Sequence, residues 1–175
     1  YASKRAPTSE QVALATEIAH QYISEHPAVE QAWNWEEAVL MYAMTELYRV
    51  TGDTQIRDYY KAWIDHHIEE GYAVLVSDGC PPALVATSLY EETGDESYAD
   101  ISREVLRYLD EDAQRTEQGG ISHMGALNIV SLWVDSLFMF GMVLNRWGEL
   151  NDDEKTINLM GEQLNIFATL LQSEN

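Results

Sequence analysis

The sequence predicts an all-α fold, an α/α toroid of helical hairpins. Three observations carry the prediction. Apolar residues recur at spacings of three and four along most of the chain, and no stretch alternates convincingly as a strand would. The segment Leu47-Tyr48-x-x-Thr51-Gly52-Asp53 returns 42 residues later as Leu89-Tyr90-x-x-Thr93-Gly94-Asp95, with Tyr98 in the place of Ile56. Self-similarity at such a period marks stacked helical units. Finally, seven predicted helices alternate in character: the first, third, fifth and seventh are amphipathic with charged faces, the second, fourth and sixth more apolar. A ring of hairpins gives that alternation, because its inner helices pack on both sides and its outer helices face water.

Residues Pro7 to Glu25 carry Val12, Leu14, Ala15, Ile18, Ala19, Tyr22 and Ile23 on one face, with Thr8 or Ser9 as cap. After His26-Pro27, the stretch Trp33-Asn34-Trp35 opens a second, more apolar helix that stops at Thr51-Gly52-Asp53. Glycine serves there as the left-handed residue that closes a helix, and Asp53 or Thr54 caps the next. The third helix runs from about Gln55 to Glu70, with Ile56, Tyr59, Tyr60, Trp63, Ile64 and His67 inward. The loop Ser77-Asp78-Gly79-Cys80-Pro81-Pro82 follows; proline tolerates the first helical turn, so the fourth helix starts at Pro81 or Pro82 and reaches about Glu92. Tyr98 to Leu109 form the fifth. A glycine-rich loop, Gln118 to Gly125, carries His123 and lacks both a phosphate-loop lysine and a dinucleotide fingerprint. The last helix spans Glu154 to about Leu171, capped by Asp152 or Asp153, with Ile157, Met160, Leu164, Phe167, Ala168 and Leu171 inward.

The sixth helix is the centre of the reading. Ile129 to Leu144 is apolar and aromatic around a single acid, Asp135, and a helix apolar all round is a buried one. Burial disfavours the charged form of a carboxyl, which suits a general acid. The same residue also reads as the cap of a helix beginning at Ser136, or as a core acid satisfied by hydrogen bonds. Trp33, Trp35, Asp78, His123 and Asp135 all fall in or just after loops that lead into inner helices, so in a ring they converge on one mouth.

A length of 175 residues suits one domain, read here as a single α/α-hairpin domain over 1–175. Thirty acidic residues against ten basic give a formal charge of −20, which repels phosphate backbones and anionic lipids. Neither nucleic acid nor a membrane is an expected partner. The lone Cys80 excludes an internal disulfide and fits a cytoplasmic protein, with the periplasm as alternative because many periplasmic domains also lack bridges. Cys80 as a nucleophile stays open, although Pro81-Pro82 favour a helix-start role. Asp65-His66-His67 is not read as a metal site, since adjacent helical residues point about 100° apart. Taken alone, Asp78 is a turn residue, His123 is open between loop bonding and a site role, and Trp33 and Trp35 are core or sugar-stacking residues.

The chain resembles glycoside hydrolase families 105 and 88, the unsaturated rhamnogalacturonyl and unsaturated glucuronyl hydrolases. Trp33-Asn34-Trp35, the first Thr-Gly-Asp turn, Trp63-Ile64, the Asp78 loop and Gly119-Gly120-x-x-His123 carry the resemblance, and Trp133-Val134-Asp135-Ser136-Leu137-Phe138-Met139 is similar to the signature Trp-x-Asp-[Gly/Ser]-Leu-[Tyr/Phe]-Met. It implies about half of an (α/α)6 barrel and a glycosidase that releases 4,5-unsaturated uronic acid from lyase-generated oligosaccharides of pectin or rhamnogalacturonan type. The reaction implied is hydration of the double bond, without cofactor or metal. It assigns acid/base work to Asp135, a second essential carboxylate to Asp78, and the sugar site to Trp33, Trp35, His123 and Trp133. The chain departs from the family in carrying Met124 where many members have lysine, in supplying about three and a half hairpins of six, and in its charge. A homo-oligomer or a further C-terminal half would complete a ring. The alternative function is a non-catalytic helical-repeat interaction module, because a half ring leaves apolar edges open, or an inactive fragment of such an enzyme. A sugar epimerase would want paired histidines at the mouth, where only His123 lies.

Overall fold

The computed structural model describes residues 8–125 and 130–172. Among these the protein is helical, with one isolated antiparallel bridge between Arg115 and Ile121. Helix α1 (Ser9–Glu25) starts from a capping box in which Thr8 and Gln11 exchange side-chain-to-backbone bonds. Helix α2 (Trp35–Thr51) ends on Gly52 at φ 69°, and α3 (Thr54–Glu70) is capped by Asp53, whose Oδ1 accepts the Gln55 amide at 3.0 Å. Helix α4 (Pro82–Thr93) has its proline in the first turn and ends on Gly94 at φ 70°, and Asp95 caps α5 (Glu96–Arg107) through the Ser97 amide. The two Thr-Gly-Asp turns are copies in their bonding as well as in sequence. Thr51 and Thr93 donate to the Leu47 and Leu89 carbonyls and accept the Asp53 and Asp95 amides.

A π-helical turn, Tyr108–Asp112, extends α5. Then come the short α6 (Ser136–Met139), α7 (Gly141–Asn151) and α8 (Glu154–Leu171), the last capped by Asp153. Inner helices α2, α4 and α7 lie side by side, while α1, α3, α5 and α8 pack outside them. Between the layers sit Met41, Ile56, Tyr60, Trp63, Ile64, Leu84, Leu89, Ile101, Phe140, Leu144 and Phe167. Each such side chain contributes roughly 1.5–3 kcal/mol on burial. Exposed pairs such as Arg103–Asp100 and Arg107–Glu104 are solvated and add little, so burial is what holds the hairpins.

Packing on both sides is realised at α4, buried from Pro82 to Leu89; α2 buries one stripe, Ala38, Met41, Met44 and Thr45. Two expectations are corrected. Ile129 lies outside the described residues, and Val130–Leu132 are not helical, so no single buried helix spans Ile129 to Leu144. Helix begins at Ser136, with a break at Phe140. The cause is competition for backbone: the Ser131 carbonyl accepts the His123 amide and the Ser131 amide donates to Ser122 Oγ, bonds a helix would need for itself. In α8 the inward register is Thr156, Gln163 and Phe167, leaving Leu164, Ala168 and Leu171 exposed. No helix among the described residues is long and apolar enough to cross a membrane.

Candidate active site

Asp78 lies in a 3₁₀ turn, Ser77–Gly79, directly before α4. That turn is tied to the glycine-rich loop by the Ser77 amide, which donates to the His123 carbonyl at 2.9 Å. On its other side the His123 amide donates to the Ser131 carbonyl at 2.8 Å. One residue therefore joins the loop entering α4 to the segment entering α6. The His123 ring is 4% exposed and lies parallel to the Trp133 ring, with centroids 4.3 Å apart and planes 1° apart. Its Nδ1 is 3.0 Å from Ser136 Oγ, and its Nε2 is 3.7 Å from Asp78 Oδ2, an ion-pair distance too long for a hydrogen bond.

The loop is braced from beneath. Buried Gln163 of α8 accepts the Ile121 amide at 2.8 Å and donates to the Gly119 carbonyl at 3.1 Å. Arg115 donates to the Gly119 and Leu109 carbonyls. Gly125 adopts φ 52°, and a Cβ there would run into the Leu75 carbonyl and the Tyr108 hydroxyl, so close approach as well as conformation requires glycine.

Burial pushes the Asp78 carboxyl above the ordinary carboxylate range; His123 pulls it back, and the nearby Asp135 charge adds to the rise. Asp135 itself occupies the N-cap position of α6 without a side-chain capping bond. It is exposed, not enclosed as its apolar neighbours suggested, because Val134 and Trp133 also turn outward. Cys80 is fully buried, and burial followed by the Asp78 charge pushes its thiol up, which removes it as a nucleophile.

Asp78, His123, Trp133 and Asp135 are thus brought together. Trp33 and Trp35 are not joined to them by any described ring contact or hydrogen bond. Trp33 is stacked on Trp63 and Tyr72 and meets His67 edge-on, which occupies its faces; Trp35 opens α2 half-exposed. Asp65 accepts from Tyr98 and Lys61, and His67 Nε2 faces the Gln31 carbonyl, so both have structural partners.

The model of Glycosyl Hydrolase Family 88 matches residues 9–175. The chain belongs to that family. It is 26% identical over 143 residues to the unsaturated rhamnogalacturonyl hydrolase YesR of Bacillus subtilis, an alignment covering 79% of this chain and 42% of YesR. Two solved structures share its fold: a possible member of the GH105 family from Klebsiella pneumoniae, with TM-score 0.81 and 21% identity, and another from Salmonella enterica, with TM-score 0.80 and 20% identity. Each is matched over 99% of this chain and 51% of the other. The chain spans about half the length of the relatives it matches, and its fold is about half of an α/α toroid.

Two residues of this family-88 chain escaped sequence reasoning. The sequence marks Ser136 only as a helix start, yet its hydroxyl meets His123. Gln163, one place from an apolar residue that fits the helical face equally well, takes the inward position because its amide satisfies two loop groups. A lone glutamine in an otherwise apolar register was the available signal.

Proposed function

We propose that this protein takes part in glycoside hydrolysis of oligosaccharides ending in a 4,5-unsaturated uronic acid, by hydration of the double bond. The supporting observation is that Asp78 and Trp133 both meet His123, with the Asp135 charge acting on Asp78, in a chain of family 88. YesR, an unsaturated rhamnogalacturonyl hydrolase, supports the substrate class.

Exposed Asp135 protonates the enol-ether carbon, water adds at the neighbouring carbon and returns a proton, and the hemiketal opens to release the sugar. This differs from two-carboxylate displacement, which attacks the glycosidic carbon. Asp78, half-buried beside His123, orients the sugar or the water. Trp133 has one face on His123 and is 53% exposed, leaving surface for a sugar ring. A second reading exchanges the two acids, and the burial that lifts the Asp78 carboxyl favours it.

The test follows loss of ultraviolet absorbance of lyase-generated unsaturated disaccharides. Asp135→Asn lowers kcat by about 10²–10⁴-fold, the usual weight of a general acid. If Asp78→Asn instead removes turnover while Asp135→Asn retains a substantial part, the roles are exchanged. No turnover in the unmodified protein overturns catalysis by this chain and favours an inactive fragment or a helical-repeat interaction module.

A further inference from the structure

We infer that Ser136 is a positioning residue that keeps a proton on His123 Nε2, so that an N–H faces the Asp78 carboxyl. Ser136 is fully buried, and its Oγ is 3.0 Å from Nδ1. The ring cannot swing away, because Trp133 lies flat against it and the His123 backbone is bonded on both sides. Its edge positions are therefore fixed: Nδ1 toward Ser136, Nε2 toward Asp78 Oδ2 at 3.7 Å.

A hydroxyl both donates and accepts. With the ring hydrogen on Nε2 the hydroxyl donates to Nδ1, and the Asp78 carboxylate opposite Nε2 favours that arrangement over the one in which Nδ1–H donates to the hydroxyl. The other neutral tautomer would set an Nε2 lone pair against a carboxylate oxygen, like partial charges in a half-buried place. Toward an imidazolium the same hydroxyl accepts, and Nε2 still carries its hydrogen. Alanine at 136 offers neither bond, so the tautomer is then held by Asp78 alone across a distance too long for a hydrogen bond.

This deepens the proposed function and rests on it for one clause only: the Nε2 hydrogen steadies the Asp78 carboxyl that orients sugar or water. The experiment reads the imidazole first. Long-range ¹⁵N–¹H correlation spectra of the full chain, with the His123 signal assigned among five histidines by a His123→Asn variant, distinguish the tautomers directly. The unmodified protein shows hydrogen on Nε2. Ser136→Ala and Ser136→Gly shift the pattern toward a mixture of tautomers, and Ser136→Thr restores it. Glycine adds no atom to this fully buried position, so Ser136→Gly creates no clash there.

An Nδ1-H neutral tautomer in the unmodified protein, or spectra unchanged in both folded variants, overturns the inference. On unsaturated disaccharides Ser136→Ala lowers kcat about tenfold with KM little changed, the weight of one hydrogen bond. Turnover missing from every protein overturns the functional reading, whereas the tautomer spectra still decide the role of Ser136.

Discussion

At Asp78, burial of the carboxyl works against stability. Its carboxyl is lifted in the folded protein by burial first, with the Asp135 charge adding to that and His123 opposing. A carboxyl that holds its proton more tightly when folded makes the folded state bind more protons than the unfolded one. Stability then falls as pH rises from the unfolded pKa, near 3.8, through the higher folded value. Asp78→Asn removes that cost. Thermal melts across pH are expected to show the variant more stable than the unmodified protein at pH 7 and equal to it below the ordinary carboxylate range. A variant less stable at pH 7 would mean that the Asp78 charge supports the fold. At this scale the sequence was legible for identity and illegible for environment. Asp135 stood out as an acid among apolar neighbours and Asp78 only through the family resemblance, but which of the two is enclosed depends on where the Ser131 backbone bonds go, and no periodicity encodes that.

Among helices, two glycines separate packing from propensity. Gly148 lies where α7 meets α8, and a Cβ there would stand 2.6 Å from Ile157 Cγ1 and 3.2 Å from the Asp153 carbonyl. Gly161, in the middle of α8, has nothing within 4 Å of that position. Gly148→Ala is expected to destabilise by about 1–3 kcal/mol through overpacking. Gly161→Ala should stabilise by about 0.5–1 kcal/mol, because alanine loses less backbone freedom in a helix. Chemical denaturation of both variants checks the pair; equal effects would refute the contact at Gly148. Helix ends were well marked in the sequence, since Thr-Gly-Asp encodes a stop and a start locally, and both copies bond alike. The start of α6 was masked, because apolar composition around Asp135 suggests helix whether the backbone is free to form one or is held by a neighbouring loop.

For the molecule as a whole, charge is the dominant oddity. Acidic residues outnumber basic ones three to one, and Arg107 alone meets Glu104, Glu111 and Asp112. Net self-repulsion is screened as the Debye length falls from about 30 Å at 0.01 M salt to about 8 Å at 0.15 M. The melting temperature is expected to rise by a few degrees across that range. A fall would mean that local ion pairs outweigh the general repulsion. The convergence of Asp78, His123 and Asp135 was legible because every loop entering an inner helix of a ring opens on one end; the seating of Trp33 in an aromatic cluster was not, since an aromatic near a mouth packs or stacks according to neighbours distant in sequence.

The link between the two acid-bearing segments is made of main chain. The amide and carbonyl of His123 splice the Asp78 turn to Ser131, and every residue but proline supplies the same two groups. Mutation can therefore exchange the side chain at 123 while the frame around it stays in register. A lineage can change the side chain at this position one codon at a time, without first having to rebuild the scaffold that spaces it.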